Sequence, residues 1–128
     1  MNRIEACPCG SGRPLADCCG RLHAGEAAPD AESLMRSRYC AYVLGREDYL
    51  LATWYPATRP ASLGLDTMPR AQWRGLEIKA HTPLDATHAT VEFVARYKLN
   101  GRAHRLHETS RFEWVDGRWF YVDGEISE

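Results

Sequence analysis

The chain has 128 residues, 45% of them hydrophobic and 26% charged, with a net charge of −1 and a pI near 6.5. These values fit a single soluble domain with a small appendage, and the lack of a basic excess argues against sequence-independent nucleic-acid binding. No apolar run approaches the roughly 20 residues of a membrane span, and the opening MNRIEACPCGSG lacks the apolar stretch of a signal peptide. A cytoplasmic location with no membrane partner is therefore expected.

Five cysteines occur, four of them between positions 7 and 19: Cys7-Pro8-Cys9-Gly10-Ser11-Gly12, then Cys18-Cys19-Gly20. A reducing cytoplasm disfavours structural disulfides, so clustered thiols there point to metal or redox chemistry. Two short cysteine pairs joined by a loop can supply the tetrahedral sulfur set that zinc prefers. Gly10 and Gly12 allow the tight turn between them. The expected ligands are Cys7, Cys9, Cys18 and Cys19, with His23 as the alternative fourth ligand. A four-ligand site leaves no open position, so the zinc is expected to be structural, and folding of so short a segment should be coupled to the metal.

Residues 20–29, GRLHAGEAAP, read as a flexible linker closed by Pro29. That divides the chain into a knuckle with its linker at 1–29 and an α+β domain at 30–128. Asp30 offers an N-cap for a helix from Ala31 to Leu44, and Gly45 a stop. Leu34, Met35, Tyr39, Ala41, Tyr42 and Val43 form its expected buried stripe. A second helix is expected over Glu47 to Trp54, ending before Pro56, and a short helical piece after Met68, with Pro69 in its first turn.

From Leu76 the hydrophobic pattern changes to period two. Strands are expected at 76–82, 88–99, 102–115 and 118–123. Asn100-Gly101 and Asp116-Gly117 are two-residue hairpin signals that make the last three an antiparallel meander. One face then carries Val91, Phe93, Ala95, Tyr97, Leu99, His104, Leu106, Glu108, Ser110, Phe112, Trp114, Trp119, Tyr121 and Asp123. The other carries Glu92, Arg96, Lys98, Arg105, Arg111, Glu113 and Arg118, and reads as solvent-facing. Carboxylates on an apolar face are costly unless paired or wet. Glu108 and Asp123 therefore imply a wet cavity, an internal ion pair with Arg36 or Arg38, or a place at the sheet ends near water. Cys40, mid-helix between aromatic neighbours, reads as core. The Phe112, Trp114, Trp119 and Tyr121 rings read as cross-strand packing.

The first 19 residues resemble the SEC-C motif, the zinc-binding tail best known from the translocation motor SecA. Cys7, Cys9, Ser11, Gly12, Cys18 and Cys19 match its pattern, which implies the same four ligands and contact with protein partners. The strings LMRSRYCAYV at 34–43, DYLLATWYP at 48–56 and SRFEWVDGRWFYVDG at 110–124 are similar to the YchJ-like family of bacterial proteins. That resemblance implies a SEC-C motif followed by an NTF2-like cone, an α+β arrangement of helices packed on a curved antiparallel sheet. It implies no established activity. The chain has Trp54-Tyr55-Pro56 where the family often has Trp-His-Pro.

Three functions remain on this reading. The first is an adaptor whose zinc knuckle touches a protein partner. The second is a small-molecule-binding protein or enzyme using the cone's pocket. Its acid–base candidates are Glu108, Asp123 and His104, and its pocket candidates are Tyr97, Ser110, Tyr121, Trp54 and Arg38. The third is nucleic-acid or ribosome association through Arg3, Arg13, Arg21 and His23, which the acidic residues of the same segment oppose. No catalytic signature is present, and the sequence leaves enzymatic activity and oligomeric state open.

Overall fold

The computed structural model describes residues 6–65 and 71–127. The helical piece expected after Met68 lies outside the described residues, as does Arg3. A one-turn 3-10 helix at Leu15–Asp17 leads into α1 (Cys19–His23), α2 (Ala31–Leu44) and α3 (Glu47–Ala52). Four strands follow: β1 (Gln72–Pro83), β2 (His88–Leu99), β3 (Arg102–Val115) and β4 (Arg118–Ser127). The sheet is an antiparallel meander in the order β1-β2-β3-β4. This is the expected α+β fold, helices packed on a curved sheet. No helix among the described residues is long and apolar enough to cross a membrane.

The expected signals place α2 well. The Asp30 carboxylate accepts from the Ser33 amide at 2.7 Å, and the helix ends at Gly45. Burial is not confined to one stripe, however. Ala31, Leu34, Met35, Ser37, Arg38, Tyr39, Cys40 and Ala41 are all buried, because α2 is covered on several sides at once. Tyr39 meets Trp73 of β1 edge-on at 5.7 Å. Ser37 bonds the Tyr49 hydroxyl at 2.7 Å, and Cys40 lies 3.4 Å from the Cys7 sulfur.

Three element ends differ from expectation by two residues or more, and one of them is the end of β4, which runs on to Ser127 rather than stopping at 123. The helix α3 stops at Ala52 rather than Trp54. The Tyr55 amide donates to the Tyr121 carbonyl at 2.7 Å, and the Tyr121 amide to the Thr53 carbonyl at 2.8 Å. The free edge of β4 thus draws the chain out of the helix, as unpaired strand edges do. Strand β1 begins at Gln72, four residues before the expected Leu76, and two register shifts along it break the alternation that marks a strand in sequence.

Both hairpin turns have the expected two residues. Asn100 and Gly101 have φ of 52° and 79°, and Asp116 and Gly117 of 50° and 84°, the left-handed pairs of a type I′ turn. The register opposes Phe93 to Glu108, Val91 to Ser110 and Ala89 to Phe112, as the alternation requires. Asp123 is the exception and corrects the expected face. A register shift makes Phe112 pair with Tyr121 but Arg111 with Asp123, leaving Val122 as the extra residue of a bulge. The bulge reverses the parity of the strand beyond it. Asp123 therefore joins Arg111 in a surface ion pair instead of entering the apolar face.

The segment expected to be a flexible linker is anchored to the core at two points, Leu22 and Ala28, while most of its other residues are exposed. Residues 19–23 are helical, Leu22 and Ala28 are buried, and the Arg118 guanidinium donates to the Gly25 carbonyl at 2.9 Å. One apolar cluster contains Cys7, Cys9, Cys18 and Cys19 together with Leu34, Tyr39, Val91, Phe93 and Phe112.

Phe112→Ala, at a residue 1% exposed, is expected to lower stability by about 3–5 kcal/mol. Asp123→Asn, which breaks only a surface pair, should cost less than about 1 kcal/mol. Urea denaturation of the two variants checks the assignment; comparable losses would place Asp123 inside.

Candidate functional site

The knuckle is closed by its backbone. Ala6 bridges Pro14, the Cys7 amide donates to the Arg13 carbonyl at 2.9 Å, and the Gly10 amide returns to the Cys7 carbonyl at 3.2 Å. Gly10 and Gly12 take φ of 82° and 85°, as the turn requires. On the other side the Cys18 amide bonds the Leu15 carbonyl at 3.1 Å, setting Cys18 and Cys19 at the entry to α1.

These two turns bring the sulfurs of Cys7, Cys9, Cys18 and Cys19 within 4.8 Å of one another, all buried. The Cys9–Cys18 distance is 3.7 Å and the Cys18–Cys19 distance 4.0 Å. Both are far longer than the roughly 2.05 Å of a disulfide. They match the edge of about 3.8 Å that a tetrahedron with metal–sulfur bonds of about 2.3 Å requires. The donor set therefore fits a four-coordinate metal ion. The Ser11 hydroxyl lies 3.1 Å from the Cys18 sulfur, with an Arg13 guanidinium nitrogen at 3.8 Å, both suited to a negatively charged thiolate. Burial pushes the Cys7 thiol up. The Cys19 thiol is also raised, first by its contacts with Cys40 and Cys9. Crowded buried thiols resist ionising together, and a bound cation is what reverses that preference.

His23 is placed apart from this cluster. Its Nε2 lies 2.7 Å from the Ser37 carbonyl and its Nδ1 2.8 Å from an Arg46 guanidinium nitrogen. Its ring packs on Tyr49 at 4.4 Å. The two ring nitrogens thus tie α1 to α2 and to Arg46, the residue before α3. Cys40 is core, as expected, but it also lies against Cys7, which its spacing of 33 residues hid from sequence reading. Arg36, weighed as a partner for an inward carboxylate, instead pairs with Glu32 at 3.1 Å and donates to the Cys9 carbonyl at 2.9 Å. The residues considered for nucleic-acid or ribosome association are partly engaged already, since Arg21 pairs with Glu26 at 2.6 Å.

A second feature lies between α2 and the concave face of the sheet. A cavity of about 220 Å³ is walled by Tyr39 and Tyr42 of α2, Trp73 of β1, Phe93 of β2 and Tyr121 of β4. Of the candidates, Glu108, Ser110, Tyr121 and Arg38 line it. The Ser110 hydroxyl donates to Glu108 Oε2, and the Tyr121 hydroxyl lies 3.4 Å from the same oxygen. Arg38 is 2% exposed. Its Nη1 donates to the Leu50 carbonyl at 2.8 Å and to the Thr53 hydroxyl at 2.6 Å. Its guanidinium stands 4.5 Å from the centre of the Tyr121 ring and 5.1 Å from that of Trp54. Burial pushes the guanidinium down to about 10 and the Tyr39 phenol up to about 12.

The remaining candidates stand outside the cavity lining. Tyr97 stacks on His104 at 5.1 Å, where His104 is exposed near the hairpin tip. Trp54 packs on Tyr121 at 4.9 Å, with its indole N–H buried and without an acceptor among the described residues. Tyr42 and Tyr39 were legible only as a helix stripe, and Trp73 sits in the irregular start of β1.

Gly20, beside Cys19, has no space for a side chain: a Cβ there would lie 2.7 Å from the Leu15 carbonyl oxygen. Gly20→Ala is expected to shift the start of α1, move Cys19 and weaken metal retention against a chromophoric chelator. Retention equal to the parent protein would show that Cys19 does not depend on this contact.

The family model for the middle NTF2-like domain of YchJ matches residues 30–124, and that for the SEC-C motif matches residues 5–21. The chain is 60% identical to a UPF0225 protein of Bordetella parapertussis, with 94% of this chain and 92% of that protein covered. It is 56% identical to a UPF0225 protein of Ralstonia nicotianae, with coverage of 95% and 92%. The solution structure of a SEC-C motif protein from Rhodopseudomonas palustris has a TM-score of 0.84 and 32% identity, covering 97% of this chain and all of that one. The crystal structure of a SEC-C motif protein from Psychrobacter arcticus has a TM-score of 0.77 and 32% identity, covering 98% and 84%. With its cysteine knuckle leading into helices on a meander sheet, the chain belongs to the YchJ-like UPF0225 family.

Proposed function

We propose that the protein binds one zinc ion through Cys7, Cys9, Cys18 and Cys19, that the ion is structural, and that the protein acts in the cytoplasm by contact with a protein partner. The observation that carries the reading is the four buried sulfurs gathered within 4.8 Å of one another, with the Cys9–Cys18 and Cys18–Cys19 distances close to a tetrahedral edge. An all-thiolate set favours zinc among cellular divalent ions, and four protein ligands leave no place for water or substrate. A groove of about 760 Å³ supports the contact role. Its walls include Leu22 and His23 of α1, Ala28, Tyr49 of α3 and Trp119 of β4. The segment that follows the cysteines and the sheet both contribute, with Leu22 and His23 of α1 facing Trp119 of β4 across the groove.

A second reading is favoured by the cavity under α2, where Arg38 and Glu108 share an aromatic-walled space. On that reading the domain binds a small molecule.

Protein purified without added metal is expected to carry about one equivalent of zinc. Cys9→Ser should lose it and lower stability by at least ~3 kcal/mol, a fall in Tm of roughly 10 °C or more. Zinc well below stoichiometric, with Cys9→Ser melting like the parent, would overturn the metal assignment. Photo-crosslinking from Asp48, on the groove wall, should yield a discrete adduct in cells that disappears in Cys9→Ser. No adduct from Asp48 or from Ala52 would remove the contact role.

A further inference from the structure

We propose that the cavity under α2 binds a small aromatic zwitterion, its carboxylate received by Arg38 and its ammonium by Glu108. The inference rests on the second reading above, that this cavity holds a ligand, and names the class of that ligand.

Arg38 is a buried cation without a carboxylate. Among the described residues its hydrogen-bond acceptors are the Leu50 carbonyl and the Thr53 hydroxyl, both reached through Nη1. No ion pair within 4.0 Å joins it to Glu108, although both line the same cavity. Nε and Nη2 are left with donor capacity, and a guanidinium presents these in the fork that matches a carboxylate. Glu108 is equally incomplete. Its Oε2 takes the Ser110 and Tyr121 hydroxyls, while no partner occurs for Oε1 among the described residues.

The two charges are kept apart by construction. Tyr121 carries the Arg38 guanidinium on its ring, 4.5 Å from the centroid, and directs its hydroxyl toward Glu108. Gly124 seats the carboxylate, because a Cβ there would overlap it. A purely anionic ligand would meet Glu108, and a purely cationic one would meet Arg38. A molecule carrying both charges satisfies both, and only with both charges met does burying either become favourable. The remaining walls fix the body of the ligand. Tyr39, Tyr42, Trp73 and Phe93 offer aromatic surface. A volume of about 220 Å³ lies below the roughly 300–1,000 Å³ of pockets for drug-sized molecules, which restricts the occupant to amino-acid size.

The test is a titration of the full-length, metal-loaded protein with L-phenylalanine, benzoate, benzylamine and toluene, read by the Trp73 indole resonance. L-phenylalanine is expected to shift it and to bind about tenfold tighter than benzoate or benzylamine, the effect of one lost charge-assisted hydrogen-bonded contact. Glu108→Gln should weaken L-phenylalanine about tenfold while leaving benzoate equal or improved. Gly124→Ala, which displaces Glu108 without removing it, should have the same sense. Arg38→Gln should abolish binding of both carboxylates, but Arg38 also ties α2 to α3, so the charge series on the unaltered protein decides. Toluene or benzylamine binding as well as L-phenylalanine would leave a ligand cavity and overturn the zwitterion assignment. No shift of Trp73 by any of the four at millimolar concentration would overturn both.

Discussion

The fold turns on placing four cysteine sulfurs against a helix in an apolar setting. Residues 6–14 contribute few apolar side chains of their own, and a loop so poor in them cannot stay docked on hydrophobic contact alone. The sulfurs supply the missing contact area, since Cys7, Cys9, Cys18 and Cys19 all belong to the main core cluster. A metal held by them would cross-link the first turn to the start of α1. Arg36 adds the outer tie by donating to the Cys9 carbonyl, and His23 adds another by reaching the Ser37 carbonyl. The knuckle sulfurs thus share one apolar cluster with the helices and the sheet.

The helix α2 explains how one small protein keeps both a metal centre and a cavity. Consecutive residues face different neighbours: Arg36 and Cys40 meet the knuckle, Arg38 meets α3 and β4, and Met35, Tyr39 and Tyr42 close over the sheet. A helix covered on several sides can bury Ser37 and Arg38 only because both are satisfied: the Ser37 hydroxyl donates to the Leu34 carbonyl of its own helix and meets the Tyr49 hydroxyl, and Arg38 donates to the Leu50 carbonyl of α3. Loosening the knuckle would free one side of the helix that roofs the cavity.

Much of this was legible in the sequence, and the exceptions share a cause. The cysteine spacing, the Asp30 cap and the two Asn/Asp-Gly turns are local signals, and each lies where the local rule puts it. The alternation of β2 and β3 gave the shared face from Val91 to Phe112 because those strands pair without a shift, but His104 and Trp114 near its ends are exposed and Val94 on the opposite face is buried. What escaped depends on contacts across the chain. Residues 20–29 are too small and polar to read as core, yet α1 and Ala28 dock once the cysteines are fixed. Trp54 reads as helical until the β4 edge claims its neighbours. Cys40 reads as an ordinary apolar residue because nothing in its own helix signals the thiols packed on it. Arg38 reads as one of two interchangeable arginines, though Arg36 faces the knuckle and Arg38 the cavity.

The bulge at Val122 shows how one extra residue decides the chemistry of the concave face. With unbroken alternation, Tyr121 and Asp123 would share that face, and two carboxylates would compete for a single buried guanidinium. Like charges in a low-dielectric cavity raise each other's pKa and cannot both stay ionised cheaply. The bulge sends Asp123 out to Arg111, and Gly124, opposite Ser110, makes room for Glu108 in its place. One cation and one carboxylate remain, separated by Tyr121 rather than paired. A protein needing only stability would gain more from joining them or from replacing both by apolar groups. Their separation, maintained by a bulge, a glycine and a tyrosine, is the feature of the cavity that packing alone does not explain.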